Sequence, residues 1–336
     1  MSTTKSRLAL MVSLIFALPV HAADPATTAG QLSVTRSSAG YPMKPIRWVV
    51  PFAPGGGTDI IARPIALKLG DKLGQSILYD NRGGGGGVIA GETVAKSNPD
   101  GYTMLVAAVA VMTVTVSLMK IPFDPVKDFA PITKFATVPN ILVVRAPFPV
   151  RTFQELVPHA RANPGKVIWA ASGIGSAGHL ALELFRLTTG IDVVRVVYKG
   201  AGPATLALLS NEADLLFANP GVFMPHIKSG RLRALAGAGP QRIALLPDLP
   251  TLIESGFPGF ESGSWYGLAA PARTSPAIVA FMHREVVSVL KQPELGALLA
   301  LEGATVVGNT PQAFAQEIRD DIAKWAKVIK EANIRM

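Results

Sequence analysis

The chain contains no cysteine. That excludes thiol catalysis, thiolate-bound zinc, disulfide staples and a lipid attached through an N-terminal cysteine. A chain of 336 residues buries enough core to stand without disulfides, so the absence is compatible with export. Beyond the N-terminal segment, no stretch of bilayer-spanning length is free of proline, glycine or charge. His159, His179, His226 and His283 show neither H-x-x-x-H nor H-E-x-x-H spacing, so no metal site is expected. A Walker A pattern is also missing. Basic residues exceed acidic ones, giving a formal net charge of +9. They are scattered, and no dense Lys/Arg run interleaves with aromatics, which argues against nucleic-acid binding. A diffuse positive field suits attraction of small organic anions, or solubility alone.

The N-terminus has the features of a secretory signal. Lys5 and Arg7 supply charge, Leu8 to Leu18 is apolar but too short to span a bilayer, and Val20-His21-Ala22 fits the small-x-small cleavage rule. Residues 1–22 are therefore expected to be a cleaved signal peptide. With no cysteine for a lipid anchor, the product is expected free in the periplasm. Residues 23–40 are small and polar and predict a flexible leader.

The folded part opens on an apolar, β-branched run, Ile46 to Phe52. It leads into a Pro-flanked glycine triplet, Gly55-Gly56-Gly57, then Thr58, Asp59 and a segment of helical period. This is a strand, a tight loop and a helix start. The first amides of a helix lack internal partners and carry partial positive charge, so the loop predicts an anion cradle. Ile77–Tyr79 and Thr103–Ala108 predict further strands, with helices at Ile61–Leu73 and Val88–Lys96 between them. That βαβαβ unit implies a mostly parallel sheet covered on both faces. A second series follows Asn140. Ile141–Val144, Val167–Ala171, Val193–Tyr198, Asp214–Ala218 and Arg233–Ala236 predict strands. Thr152 to Glu155 forms a capping box, Ser176–Thr189 a helix closed by Gly190, and Pro203–Ser210 another helix. Ser275-Pro276 and Thr310-Pro311 are N-cap/N1 pairs opening terminal helices. After the second, Phe314, Ile318, Ile322, Trp325 and Ile329 form one apolar stripe that reads as core packing. Pro64 and Pro158 fall inside helical segments and predict kinks or shortened helices.

The fold class expected is α/β with two similar lobes. One comprises residues 41–140 and 262–336, the other residues 141–261. Pro-rich crossovers near Val138–Asn140 and Pro258–Trp265 separate them, and a ligand cleft lies between the lobes.

Gly173-Ile174-Gly175-Ser176-Ala177-Gly178 matches G-x-G-x-x-G between a strand and a helix. The dinucleotide fingerprint also needs an acid at the end of the next strand, where Tyr198-Lys199-Gly200 stands. A second anion cradle, with Ser172 and Ser176 hydroxyls and helix amides, is the better reading; a plain serine N-cap is the other. The G-x-S-x-G hydrolase elbow fails because position 174 is Ile174. His179 falls in the first turn of its helix, either facing the cleft or packing. Asp59 either offsets the helix dipole or accepts a ligand hydroxyl, amine or water. Gly83–Gly87 is a further flexible loop at the same end of the sheet, with or without a ligand role. Lys199 either pairs with an anion or is solvated.

The segments YPMKPIRWVVPFAPGGGTDIIAR, LGQSILYDNRGGGGGVIAG, NPDGYTMLVA, FDPVKDFAPI, VPNILVV, VVYKGAGPA, PHIKSGRLRALA, SWYGLAAPA and IAKWAKVIKEANI occur in order. Through them the chain resembles the extracytoplasmic receptors of tripartite tricarboxylate transporters, the Bug family, from Tyr41 to near Met336. The resemblance implies a two-lobed periplasmic binding protein of type II, closing like a Venus flytrap. Such a protein captures a small organic carboxylate and delivers it to a two-component membrane permease. It implies no cofactor and no catalysed reaction, and a monomer is expected. A periplasmic sensor of the same ligand and an α/β enzyme using the glycine loops are the alternatives. Carried onto this chain, the ligand set is Phe52, Gly56, Gly57, Thr58, Asp59, Ser172, Gly175, Ser176 and Ala177, with Val111, Met112, Ala218 and Trp265. The chain departs from the family where small polar residues and a His are common: Val111 and Met112 are apolar. It departs again at Ala218, where a polar or acidic residue is common. The missing acid argues against an amino-acid ligand. The apolar lining suggests an aromatic or medium-chain carboxylate or dicarboxylate.

Overall fold

Short apolar runs, each followed by a helix, build the first half of lobe 1. The structure, a computed structural model, describes residues 35–37, 40–52, 54–198 and 200–335. The expected signal peptide, most of the leader and Lys199 lie outside them. β1 (Ile46–Val50) is almost wholly buried, as a central parallel strand must be. α1 (Gly57–Leu73) leads to β2 (Ile77–Asn81), and α2 (Val88–Ala95) to β3 (Thr103–Ala108). A π-helical turn over Ala110–Val114 and the short α3 (Thr115–Leu118) follow. The long β4 (Phe129–Pro139) then runs towards the second lobe.

Lobe 2 holds β5 (Ile141–Arg145), α4 (Phe153–Ala162), β6 (Ile168–Ala171), α5 (Ala177–Thr189) and β7 (Val194–Val197). It continues through α6 (Ala201–Leu209), β8 (Leu215–Ala218), α7 (Pro220–Lys228) and β9 (Leu232–Gly237). The chain returns along β10 (Gly263–Pro271). It finishes in lobe 1 with α8 (Pro276–Leu290), α9 (Pro293–Ala300), β11 (Thr305–Val306) and α10 (Pro311–Glu331).

The first sheet has the order β11-β4-β10-β3-β1-β2 and the second β7-β6-β8-β5-β9. The βαβ units are parallel: β1 with β2 and β3, and β6 with β7 and β8. β10 and β5 enter their sheets antiparallel, so each sheet is mixed. The predicted crossovers are largely strand. Val138 and Pro139 end β4, and Gly263–Trp265 begin β10, which pairs with β4 along its length. The two crossings are tied to each other. The Asn140 amide donates to the Ser262 carbonyl at 3.0 Å, and the Ala238 amide donates to the Asn140 carbonyl at 2.8 Å.

Two local expectations are corrected. α1 and α4 run uninterrupted through Pro64 and Pro158. Ile61, Ile65, Leu69 and Leu73 pin α1 to the core, as Phe153, Leu156 and Ala160 pin α4, and this packing outweighs one lost backbone bond. The capping box at Thr152 is not formed as expected. The Glu155 amide reaches the Thr152 carbonyl at 3.3 Å rather than the hydroxyl. The Glu155 carboxylate instead accepts the Arg151 amide at 2.8 Å.

The C-terminal stripe packs as its period demands. Phe314, Ile318, Trp325 and Ile329 are buried in lobe 1, Ile322 is partly buried there, and Phe314 meets Trp265 edge-to-face at 5.1 Å. Among the described residues no helix is long and apolar enough to cross a membrane.

Candidate functional site

Between the lobes lies a cavity of about 500 Å3. Lobe 1 lines it with Gly55, Gly56, Gly57, Ile60, Ile61 and Glu302. Val138, Asn140 and Ser264 line it from the crossings. Lobe 2 supplies Ser172, Ser176, Ala177, Gly178 and Ala218, then Asn219 and Val222, with Ala201 and Gly202 from α6.

The first loop is shaped by its glycines. Gly55 has φ +79°, a left-handed conformation that favours glycine. Gly56 caps α1 with no side chain. The amides of Asp59 and Ile60 already donate to the Gly56 carbonyl at 2.9 and 3.0 Å. The amides at the very start of α1, those of Gly57 and Thr58, have no such helical partner and face the positive end of the dipole. A Cβ on Gly57 would stand 2.5 Å from the Tyr266 hydroxyl. The side chains of Ser264 and Asn219 lie beside that hydroxyl. Burial raises the Tyr266 pKa despite these polar neighbours, so the phenol stays protonated.

Asp59 is turned into its own loop. Its carboxylate accepts the Gly55 amide at 3.0 Å and pairs with Arg63 at 2.6 Å. The Arg63 guanidinium lies over the Tyr79 ring, 4.4 Å from its centroid. Partial burial opposes ionisation of Asp59, but the bonds from Arg63 and Gly55 and the charge of Arg63 outweigh it. The carboxyl is held below its ordinary range.

The second loop is built on α5. Ser172 Oγ donates to Ser176 Oγ at 3.1 Å, and Ser176 Oγ accepts the His179 amide at 3.2 Å. Ser176 thus caps the helix while its own hydroxyl proton stays uncommitted and available to an anion. His179 is buried beneath the loop rather than facing the cleft, and its Nδ1 accepts the Gly175 amide at 3.0 Å. Its Nε2 stands 3.0 Å from Arg195 Nη1 and 3.6 Å from Glu183 Oε1. Glu183 also accepts from Arg186 at 3.0 Å and Arg195 at 2.5 Å. Burial opposes its charge, but His179, Arg186 and Arg195 together lower the Glu183 pKa to about 2. The glycines here have packing reasons. A Cβ on Gly175, whose φ is +73°, would stand 2.5 Å from Leu118 of lobe 1. One on Gly178 would collide with the Phe217 carbonyl on β8.

The structure therefore gathers Gly56, Gly57, Ser172, Ser176, Ala177 and Ala218 around one cavity. Gly175 and Asp59 lie behind the lining, engaged by His179 and Arg63. Thr58 is buried, and Phe52 packs on the core with its carbonyl accepting Asn81 Nδ2 at 2.8 Å. Val111 and Met112 are fully buried in the π-helical turn, behind the cavity wall. Their apolar character fills the core and says nothing of a ligand. Trp265 faces away, donating its Nε1–H to Asp321 at 2.6 Å in a separate hinge-side cavity of about 400 Å3. The loop Gly83–Gly87 packs within lobe 1, where Gly86 abuts Thr115 and Gly87 abuts Pro51 and Val111. A further cavity of about 610 Å3, lined by residues such as Phe153, Arg233 and Pro250, belongs to lobe 2 alone and touches neither glycine loop.

Sequence reasoning missed Asn140, Asn219, Ser264, Tyr266 and Glu302. Asn219-Pro220 carries the same cap signature as Ser275-Pro276, which would have placed α7 and its N-cap. Asn140 ends the first predicted crossing, and Ser264, Tyr266 and Glu302 reach the cleft only when β10 and the turn after α9 return to lobe 1.

The family model for the tripartite tricarboxylate transporter family receptor matches residues 61–334. The chain is 37% identical over 311 residues to Protein BugT of Bordetella pertussis, covering 92% of this chain and 95% of that protein. A solved structure described as a periplasmic transporter is 40% identical, with a TM-score of 0.78 over 88% of this chain and 99% of that one. R. palustris Rpa4515, solved with adipate, is 36% identical, with a TM-score of 0.79 over 88% of this chain and 99% of that one. The chain belongs to the receptor family of the tripartite tricarboxylate transporters.

Proposed function

We propose that this protein is a periplasmic receptor that captures a small organic carboxylate between its lobes. It then hands the carboxylate to a two-component membrane permease of the tripartite type. One observation carries the proposal: the starts of α1 and α5 reach the same inter-lobe cavity from opposite lobes. Each helix start offers amides without helical partners, and Ser176 adds a free hydroxyl proton. An anion bridging them gains contacts only when both lobes engage it, which couples capture to closure. Ile60, Ile61, Val138, Val222 and Ala218 give the cavity apolar walls, which suit a ligand with a medium-length apolar or aromatic body. Adipate, which Rpa4515 was solved with, has an apolar body of that length. Export through the N-terminal segment would bring the protein to the compartment where such a receptor works.

Native mass spectrometry of the protein purified from its own host tests the proposal. A co-purified organic acid, released on denaturation, is the expected result. Turnover of such an acid by the purified protein, with no stable complex, would overturn it.

A further inference from the structure

Two hydrogen-bond acceptors at the inter-lobe cavity have no donor, one shut behind its lining and one on the lining itself. The first is Asn140 Oδ1. Asn140 is only 1% exposed, and its Oδ1 is buried with no partner. Its orientation is fixed by its neighbour. Ser262 Oγ donates its single proton to the Ala177 carbonyl at 3.3 Å, so towards Asn140 it can only accept. It does so from Nδ2 at 3.2 Å, which leaves Oδ1 as the unpaired atom. That oxygen exposes essentially no surface to the cavity, so it is shut behind the lining and offers a ligand no contact in this arrangement of the lobes.

The second is Glu302, the one charged residue lining the cavity among the described residues. Its carboxylate makes no ion pair or hydrogen bond with the described residues. The turn that carries it packs on the start of α7. Gly303, with φ +72°, sits so close to Pro220 that a Cβ there would stand 2.7 Å from the proline ring. A methyl group on Gly221 would collide with the Glu302 carboxylate itself.

We infer that Glu302 is a specificity-determining residue. It selects a monocarboxylate whose apolar body ends in a hydrogen-bond donor, an ammonium or a hydroxyl, and it rejects a second carboxylate. This rests on the reading of the cavity as a carboxylate receptor site. The helix starts of α1 and α5 take the carboxylate; Glu302 takes the donor. A dicarboxylate would bring a like charge against Glu302 in a confined site, which disfavours it.

The test is calorimetric titration of wild type and Glu302→Gln with straight-chain acids from butanoate to octanoate. Each chain length is used with a terminal methyl, hydroxyl, ammonium or second carboxylate. Wild type is expected to bind the best hydroxyl or ammonium member at least about tenfold more tightly than the matching dicarboxylate. Tighter binding of the ammonium member identifies an amine ligand, and tighter binding of the hydroxyl member a hydroxy acid. Glu302→Gln is expected to erase or reverse the discrimination while leaving the unliganded melting temperature in place. A wild type that prefers the dicarboxylate, or a Glu302→Gln variant with an unaltered preference, overturns this inference and spares the receptor reading. No heat with any member removes both.

Discussion

The hydroxyl of Tyr266 occupies the space that a side chain on Gly57 would need, 2.5 Å from the position of its Cβ. Tyr266 arrives on β10, the strand returning from lobe 2, while Gly57 opens the first helix of lobe 1. Gly57→Ala is expected to push this contact apart and weaken carboxylate binding by roughly 1–3 kcal/mol, the usual cost of forcing a methyl into a filled site. Tyr266→Phe in the same protein removes the clashing oxygen and should recover part of the loss, because the next ring atom stands at 3.4 Å. A double-mutant cycle by calorimetry reads the coupling. Purely additive effects would mean that the hydroxyl does not shape the loop.

Asp59 acts on the cradle from behind. Its bonds to Gly55 and Arg63 fix the turn that precedes the free amides. Asp59→Asn removes the charge that holds Arg63 and is expected to weaken ligand binding about tenfold, in keeping with the value of a charge-assisted hydrogen bond. Hydrogen exchange at Gly55 should quicken in the variant. Slow exchange together with weak binding would assign Asp59 direct ligand contact instead.

Glu183 makes the second cradle sensitive to acid. Folding lowers its pKa from the ordinary 4.5 to about 2. The stabilisation from its charge is therefore complete above about pH 4.5 and is lost as pH falls towards 2, a contribution on the order of 3 kcal/mol at neutral pH. Glu183→Gln should lower the melting temperature at pH 7 and flatten the dependence of stability on pH in that acid window. Parallel melting curves for the two proteins across the window would show that His179, Arg186 and Arg195 do not hold its charge.

Gly175 brings the lobes together. Its left-handed backbone disfavours a side chain, and a Cβ there would have to displace the end of the Leu118 side chain. Gly175→Ala should hold the lobes apart and raise the radius of gyration of the liganded protein in small-angle scattering. Closure equal to that of the wild type would mean that the contact yields.

Much of lobe 1 was legible because its strands are continuous apolar runs and its loops are marked by glycine. The βαβαβ run from Ile46 to Ala108 follows from period and punctuation alone. β4 was not legible. Phe129–Pro139 mixes prolines, a lysine and threonines, and it becomes a strand only because β10 pairs along its whole length. The two anion cradles were legible for the same reason as lobe 1, since free amides after a strand are a local property of the chain. Residues from remote segments were not. Val111 and Met112 were placed at the site by the family resemblance, and the structure sets both, fully buried, in a π-helical turn. Glu302, in a turn between a short helix and a two-residue strand, reaches the cavity only through the packing of Gly303 on Pro220.

The central claim is that two helix starts from opposite lobes grip one carboxylate. Calorimetric titration of wild type and of Ser172→Ala/Ser176→Ala with a panel of organic carboxylates tests it most directly. At least one carboxylate should bind the wild type and lose roughly 1.5–3 kcal/mol in the double variant, the value of a hydrogen bond to a charged group. Tight binding that is unchanged when both hydroxyls are gone, or no binding of any carboxylate by the wild type, would contradict it.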